Sequence, residues 1–213
     1  MASIDPTLIP LFWKLAFSAF MAVLVPIYLR HYGPTNFLYF CDVALLLTLA
    51  GIWLENPLLL SIATVGILLP QLFWLIDFIV RLGGHTLSGM TDYMFESQRS
   101  RLLRGLSLFH GWLPVLLIYL LTLTGYDARA LPCWIGIATV LLLICYGSMP
   151  PPSRQRRDIQ PVNINYVHGL SDDEPQAWMP SWAWLLFTIL GWPLLLYWPA
   201  HWLLMHTLPA APS

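Results

Sequence analysis

Six stretches of this chain stay apolar long enough to cross a bilayer, and no other feature limits its fold so strongly. They run Leu8 to Leu29, Phe37 to Leu54, Pro57 to Val80, Leu102 to Leu123, Leu131 to Tyr146 and Trp182 to Met205. A spanning helix needs roughly 20 mostly apolar residues. Backbone groups in hydrocarbon must also be satisfied within their own segment, which selects helices here. With 58% hydrophobic and 10% charged residues in 213, the chain has more apolar surface than one soluble core of its size can cover. The expectation is an all-α polytopic membrane helix bundle of about six transmembrane helices, a single integral membrane domain over residues 1–213. The first run lacks a basic flank and a small-residue cleavage site, so it reads as a retained helix rather than a removable signal.

Positive residues set the expected orientation. Of the ten Lys and Arg, eight lie in or beside the first, third and fifth connections: Arg30, Arg81, Arg99, Arg101, Arg104, Arg154, Arg156 and Arg157. Such residues accumulate on the cytoplasmic side. Residues 82–101 and 147–181 therefore read as cytoplasmic loops, with both termini on the outer side, in a plasma or inner membrane if the source is bacterial. Arg129 falls on the outer side, and Lys14 interrupts the first span. The outer turns, Glu55-Asn56 and Thr124 to Ala128, are minimal, so helices two and three and helices four and five should be antiparallel hairpins. The longer inner connections are where a site has material to form. Met149 to Arg157 reads as extended and solvated, whereas Gln160 to Trp178 mixes polar and apolar residues as a segment that folds back onto the bundle does. Three cysteines, Cys41, Cys133 and Cys145, all within spans, do not make a disulfide framework.

Polar groups inside spans are costly and mark interior or functional positions. Cys41 and Asp42 stand near the start of the second run, about 8 Å from its cytoplasmic end if the helix begins near Asn36. His110 lies roughly 12 Å from the same end of the fourth run. Asp77 in the third run, four residues from Arg81, and Cys145 in the fifth add to the same leaflet's polar content. Asn36, Tyr39 and Asp42 recur every three residues, which puts them on one helix face. Pro114 removes the intrahelical partner of the His110 carbonyl, so a bend is expected beside it.

Phe37-Leu38-Tyr39-Phe40-Cys41-Asp42, Phe109-His110-Gly111 and Val162-Asn163-Ile164-Asn165-Tyr166 together resemble the three signature segments of the YwaF-type integral membrane protein family. That family includes an animal intramembrane ether-phospholipid acyltransferase. The resemblance implies a Cys in the second helix paired with a His in the fourth for acyl transfer within the membrane, here Cys41 and His110. Tyr39 stands where bacterial relatives carry a His, and relatives that hydrolyse lipid esters use Thr in place of the Cys.

The chemistry is coherent. A thiol needs an adjacent base to become a nucleophile at neutral pH. His110 would take the Cys41 proton, Asp42 or Asp77 would orient the imidazole, and Asn163 or Asn165 would donate to the oxyanion. Tyr39, Gln71 and Tyr166 complete the expected lipid-binding set. Membrane lipids, as a lysophospholipid or a lipid ester, are the expected partners, with no cofactor, no metal and no nucleic acid. Two other classes remain open: a small proton-coupled transporter using Asp42, Gln71 and Asp77 as a polar path, and a non-enzymatic assembly protein anchored through Gln176, Trp178, Trp182 and Trp184. A metal-dependent oxidase would need paired His at ligand spacing, and the six His are scattered.

Overall fold

The computed structural model describes residues 8–97, 99–153 and 161–212. Gln98, Gln155, Gln160 and the basic residues Arg154, Arg156 and Arg157 lie outside the described residues. Among the described residues the chain forms eight α-helices and no strand: α1 Leu11–Tyr32, α2 Phe40–Leu54, α3 Pro57–Leu82, α4 Arg101–Ser107, α5 Phe109–Thr124, α6 Ala130–Ser148, α7 Ser181–Trp192 and α8 Trp198–Thr207. Short 3-10 turns occupy Pro34–Leu38, Asp92–Met94 and Ile164–Tyr166, and a π turn at Pro193–Tyr197 joins α7 to α8.

Five helical stretches are long and apolar enough to cross a membrane: α1, α3, α4 with α5, α6, and α7 with α8. The sixth expected span differs. α2 has only 15 residues, about 22 Å of helix at 1.5 Å per residue, because Pro34 opens a 3-10 turn and α-helix starts only at Phe40. Cys41 consequently sits in the first turn of α2 rather than about 8 Å inside it. The fourth span also differs in detail. A single turn residue, Leu108, separates α4 from α5 two residues before His110, and Pro114 lies inside α5.

α3 is the central helix, with 61% of its apolar window buried against 28% for α1, α6 and α7–α8. It starts on a sound cap: the Asn56 side chain accepts from the Leu59 N–H at 3.1 Å, and Pro57 occupies the first helical position, where its missing N–H costs nothing. Small residues let its neighbours come close. A Cβ on Gly51 of α2 would lie 2.8 Å from Leu60, and one on Gly66 of α3 would overlap the Trp134 ring of α6. Tight packing over small residues is how helices associate in lipid, where no hydrophobic force drives them together. α1 is held to α5 by aromatic contacts, Phe20 on Trp112 at 4.9 Å and Trp13 on Tyr119 at 5.6 Å.

Both ends of the described chain lie at one end of the bundle. The Leu8 N–H and Lys14 Nζ bond Glu55 at 2.9 and 2.6 Å. Asp127 N–H reaches Ser61 Oγ at 2.9 Å, and Tyr126 N–H reaches the Pro209 carbonyl at 2.7 Å. The two long connections gather at the opposite end, around Cys41. Trp182 and Trp202, both exposed on α7 and α8, are about 30 Å apart along the helix, the thickness of a hydrocarbon core with an aromatic belt at either boundary.

Candidate functional site

The first turn of α2 is the starting point. A helix leaves its leading N–H groups without backbone partners. The Phe40 N–H is taken by Asn165 Oδ1 at 3.0 Å, and Val43 N–H already bonds the Tyr39 carbonyl. The Cys41 and Asp42 N–H groups remain, and the Cys41 sulfur lies against both. Cys41 itself is half-buried. Asp42, 2% exposed, accepts from Asn36 Nδ2 at 2.8 Å through Oδ2, while its Oδ1 is buried with no partner among the described residues. The face expected to carry Asn36 and Asp42 does bring those two together, across the 3-10 turn.

His110 stands in the first turn of α5, two residues after the tightened turn at Leu108. Its Nδ1 lies 2.7 Å from the Ser107 carbonyl. A carbonyl can only accept, so Nδ1 carries the proton and Nε2 holds the lone pair. The orienting group is thus a backbone carbonyl where a carboxylate of Asp42 or Asp77 was expected. The ring is stacked between Trp74 at 4.8 Å and Phe109 at 4.1 Å. Ser107 Oγ donates to the Leu103 carbonyl at 3.2 Å, which leaves the Tyr28 hydroxyl, 3.1 Å away, to donate to Ser107.

Cys41 and His110 form no hydrogen bond with each other among the described residues. Tyr93, which sequence reasoning missed, lies in the same region. Its phenol is buried against Trp74 and Ser107, the two residues that hold His110, and is near enough to Cys41 for their charges to interact. Burial pushes the Tyr93 phenol well above its ordinary value, so it stays an O–H donor. Nothing in the sequence near Tyr93 marks it, because it belongs to a loop whose docking is a tertiary event.

Asp77 explains that docking. Buried at 1% exposure, it accepts from Ser88 N–H and Oγ at 2.7 and 2.8 Å through Oδ1, and from Thr91 N–H and Oγ1 at 3.0 and 2.5 Å through Oδ2. Four donors occupy both oxygens, so Asp77 works as a latch that carries the Asp92–Met94 turn, and Tyr93 within it, onto the bundle. Arg81 strengthens the latch through an ion pair with Asp92 at 2.8 Å.

The Asn163 to Tyr166 segment closes the site from the other loop. Asn163 is spent on the loop itself, donating to the Gly169 and Ser171 carbonyls at 2.7 and 2.9 Å and accepting from His168 N–H at 2.8 Å. Asn165 accepts from Phe40 N–H and donates to the Leu38 carbonyl at 2.8 Å. Tyr166 and Tyr39 neighbour each other and Cys41. Asp172 also belongs here. Although the residue as a whole is exposed, its carboxyl turns toward both tyrosines, and burial, reinforced by Asp173 and opposed by Arg99, pushes it up to about 6. Gln71 lies on the same face of α3 as Trp74, is 2% exposed, and neither of its amide atoms has a partner among the described residues. Such an orphaned amide in a bundle interior is a group available to a ligand.

No cluster of three or more His, Cys, Asp or Glu with metal-binding geometry is found among the described residues. Comparison with known protein families, curated proteins and solved structures finds no match to this chain.

Proposed function

We propose that this multi-pass membrane protein is a lipid acyltransferase or lipid-ester hydrolase that uses Cys41 as nucleophile and His110 as general base, as the resemblance to YwaF-type proteins implies. The observation that carries the reading is the His110 tautomer: Nδ1–H is committed to the Ser107 carbonyl, which leaves the lone pair on Nε2, and Tyr93, buried beside Ser107 and Trp74, is near enough to the Cys41 thiol at the α2 N-terminus to feel its charge. In the first half-reaction His110 Nε2 takes the Cys41 proton, directly or across the Tyr93 hydroxyl. The thiolate attacks the ester carbonyl, and the departing alcohol leaves with the proton from the imidazolium. The product is a thioester on Cys41. In the second half-reaction a lysolipid hydroxyl or water gives its proton to Nε2 and displaces the thiolate. The N–H groups of Cys41 and Asp42 are the donors best placed for the oxyanion. The apolar chain lies among the lipid-facing side chains at the cytoplasmic boundary, with the loops covering its ester.

The test is overexpression followed by lipid analysis. Wild type should shift the acyl-chain distribution between phospholipid classes or deplete a lipid ester, and Cys41→Ala should abolish the change. Identical lipid profiles from the two would overturn the proposal. A second reading, a proton-coupled carrier, draws on Asp42 Oδ1 and the Gln71 amide, which are buried and unpartnered. Proton uptake into vesicles that is lost in Asp42→Asn and retained in Cys41→Ala would select it.

A further inference from the structure

Among the described residues four non-glycine residues have left-handed backbone, and three of them, Asn163, Asn165 and Tyr166, fall within one short turn at φ 50°, 57° and 61°. Side chains other than glycine avoid that region, and Tyr is among the residues least suited to it. A run of such residues persists only where surrounding contacts hold it, and this one is held on every side. Asn163 ties the following loop by three hydrogen bonds. The Tyr166 carbonyl accepts from the Trp184 indole of α7 at 2.8 Å. Asn165, 5% exposed, reaches across to the other side of the bundle: Oδ1 takes the Phe40 N–H at 3.0 Å, and Nδ2 donates to the Leu38 carbonyl at 2.8 Å and lies 3.9 Å from the Cys145 sulfur.

The Asn165 amide therefore brackets the point where the chain leaves the 3-10 turn and enters α2. It accepts from the first helical N–H and donates to the last carbonyl of the turn before it. Tyr39, between them, has no capping side chain of its own. The next two N–H groups belong to Cys41 and Asp42 and lie against the Cys41 sulfur. We infer that Asn165 is the positioning residue of the site: the left-handed Asn163–Tyr166 turn exists to hold its amide astride the α2 N-terminus, which fixes where the Cys41 thiol and the two adjacent N–H donors stand. This assignment gives Asn165 no contact with substrate. It rests on the proposed nucleophilic role of Cys41, and it is tested on the thiol itself so that the two can fail separately.

The experiment measures the rate of Cys41 alkylation by a lipid-soluble maleimide as a function of pH, read on the Cys41 peptide by mass spectrometry in detergent-purified protein. Asn165→Ala should slow alkylation at neutral pH by about tenfold or more and move the pH midpoint upward, as expected when a thiolate loses oriented donors. Asn165→Asp keeps the acceptor for the Phe40 N–H and should retain more of the wild-type rate than Asn165→Ala. Asn163→Ala, which removes loop bonds but leaves the Asn165 amide its own bonds to Phe40 and Leu38, should lower the melting temperature and move the pH midpoint less than Asn165→Ala does. If Asn165→Ala does not fold, the Asn165→Asp and Asn163→Ala pair still decides the matter by midpoint alone. An unchanged midpoint in the Asn165 variants, or equal displacement in the Asn163 variant, would overturn the inference. Loss of clamp-dependent reactivity together with lipid profiles unaffected by Cys41→Ala would retain the clamp and remove the enzyme.

Discussion

The side chain of Asp77 separates a structural role from a chemical one. A carboxylate that accepts four hydrogen bonds from Ser88 and Thr91 has no lone pair to spare for His110. Asp77→Ala should destabilise the protein by about 2–4 kcal/mol, since charge-assisted bonds are lost and buried donors are left behind. Thermal unfolding in detergent would measure it, and the shape of the pH–activity curve should not change. Tyr93→Phe differs from it: the fold should hold, and turnover should drop by roughly tenfold with little change in KM, the pattern of a group acting in the transition state. Glu55 has its own pH signature. Burial works against its charge, yet the Lys14 ammonium and the N–H groups of Leu8 and Ile9 outweigh it and hold the carboxyl below its ordinary 4.5. The charged form is thus favoured by folding. Its contribution is complete above the unfolded value and disappears as pH falls through the lower folded one. Melting temperatures of wild type should drop over that acid interval more steeply than those of Glu55→Gln.

At the level of elements, two glycines make opposite predictions. Gly66 faces Trp134 so closely that a methyl group there would overlap the indole, and Gly66→Ala should cost about 1–3 kcal/mol by overpacking the α3–α6 contact. Gly105, in α4, has open space where its Cβ would stand. Gly105→Ala should be neutral or stabilise by up to about 1 kcal/mol through helix propensity. Equal effects of the two would mean that α3 and α6 do not pack through this notch. The elements also show how much could be read beforehand. α1, α3 and α6 follow the apolar runs closely, because a spanning helix needs only length and hydrophobicity. α2 does not, because Pro34 and the turn after it replace its first residues by a tighter turn, a choice that hydropathy does not register. The turn at Leu108 is equally silent in the sequence. Ser107 beside it bonds the Leu103 carbonyl and meets Tyr28, which comes from a distant part of the chain.

For the whole molecule, the hydrogen bonds of Glu55, Ser61 and Tyr126 place both described ends on one side. The distribution of Arg leads to the expectation that this side is the outer one. On a background without native cysteines, Glu55→Cys should react with an impermeant thiol reagent from the outer face and Asp173→Cys only after permeabilisation. The reverse result would invert the bundle and move Cys41 to the opposite leaflet.

The residue sequence by itself determined the all-helical class, most of the apolar spans, the tight α2–α3 hairpin and the presence of Cys41, Asp42 and His110 within apolar surroundings. These follow from local composition, because hydrocarbon admits few backbone solutions and each span must satisfy its own hydrogen bonds. The expected second hairpin is not one, since α5 and α6, though joined by a short turn, pack on α3 rather than on each other. Tertiary structure alone decided what those residues meet. Asp77 became a loop latch, Asn165 came to bond both sides of the start of α2, and the His110 ring was oriented by the Ser107 carbonyl. Those outcomes depend on side chains from separate helices and loops finding one another, and pairwise geometry of that kind leaves no period or spacing along the chain from which it could be read.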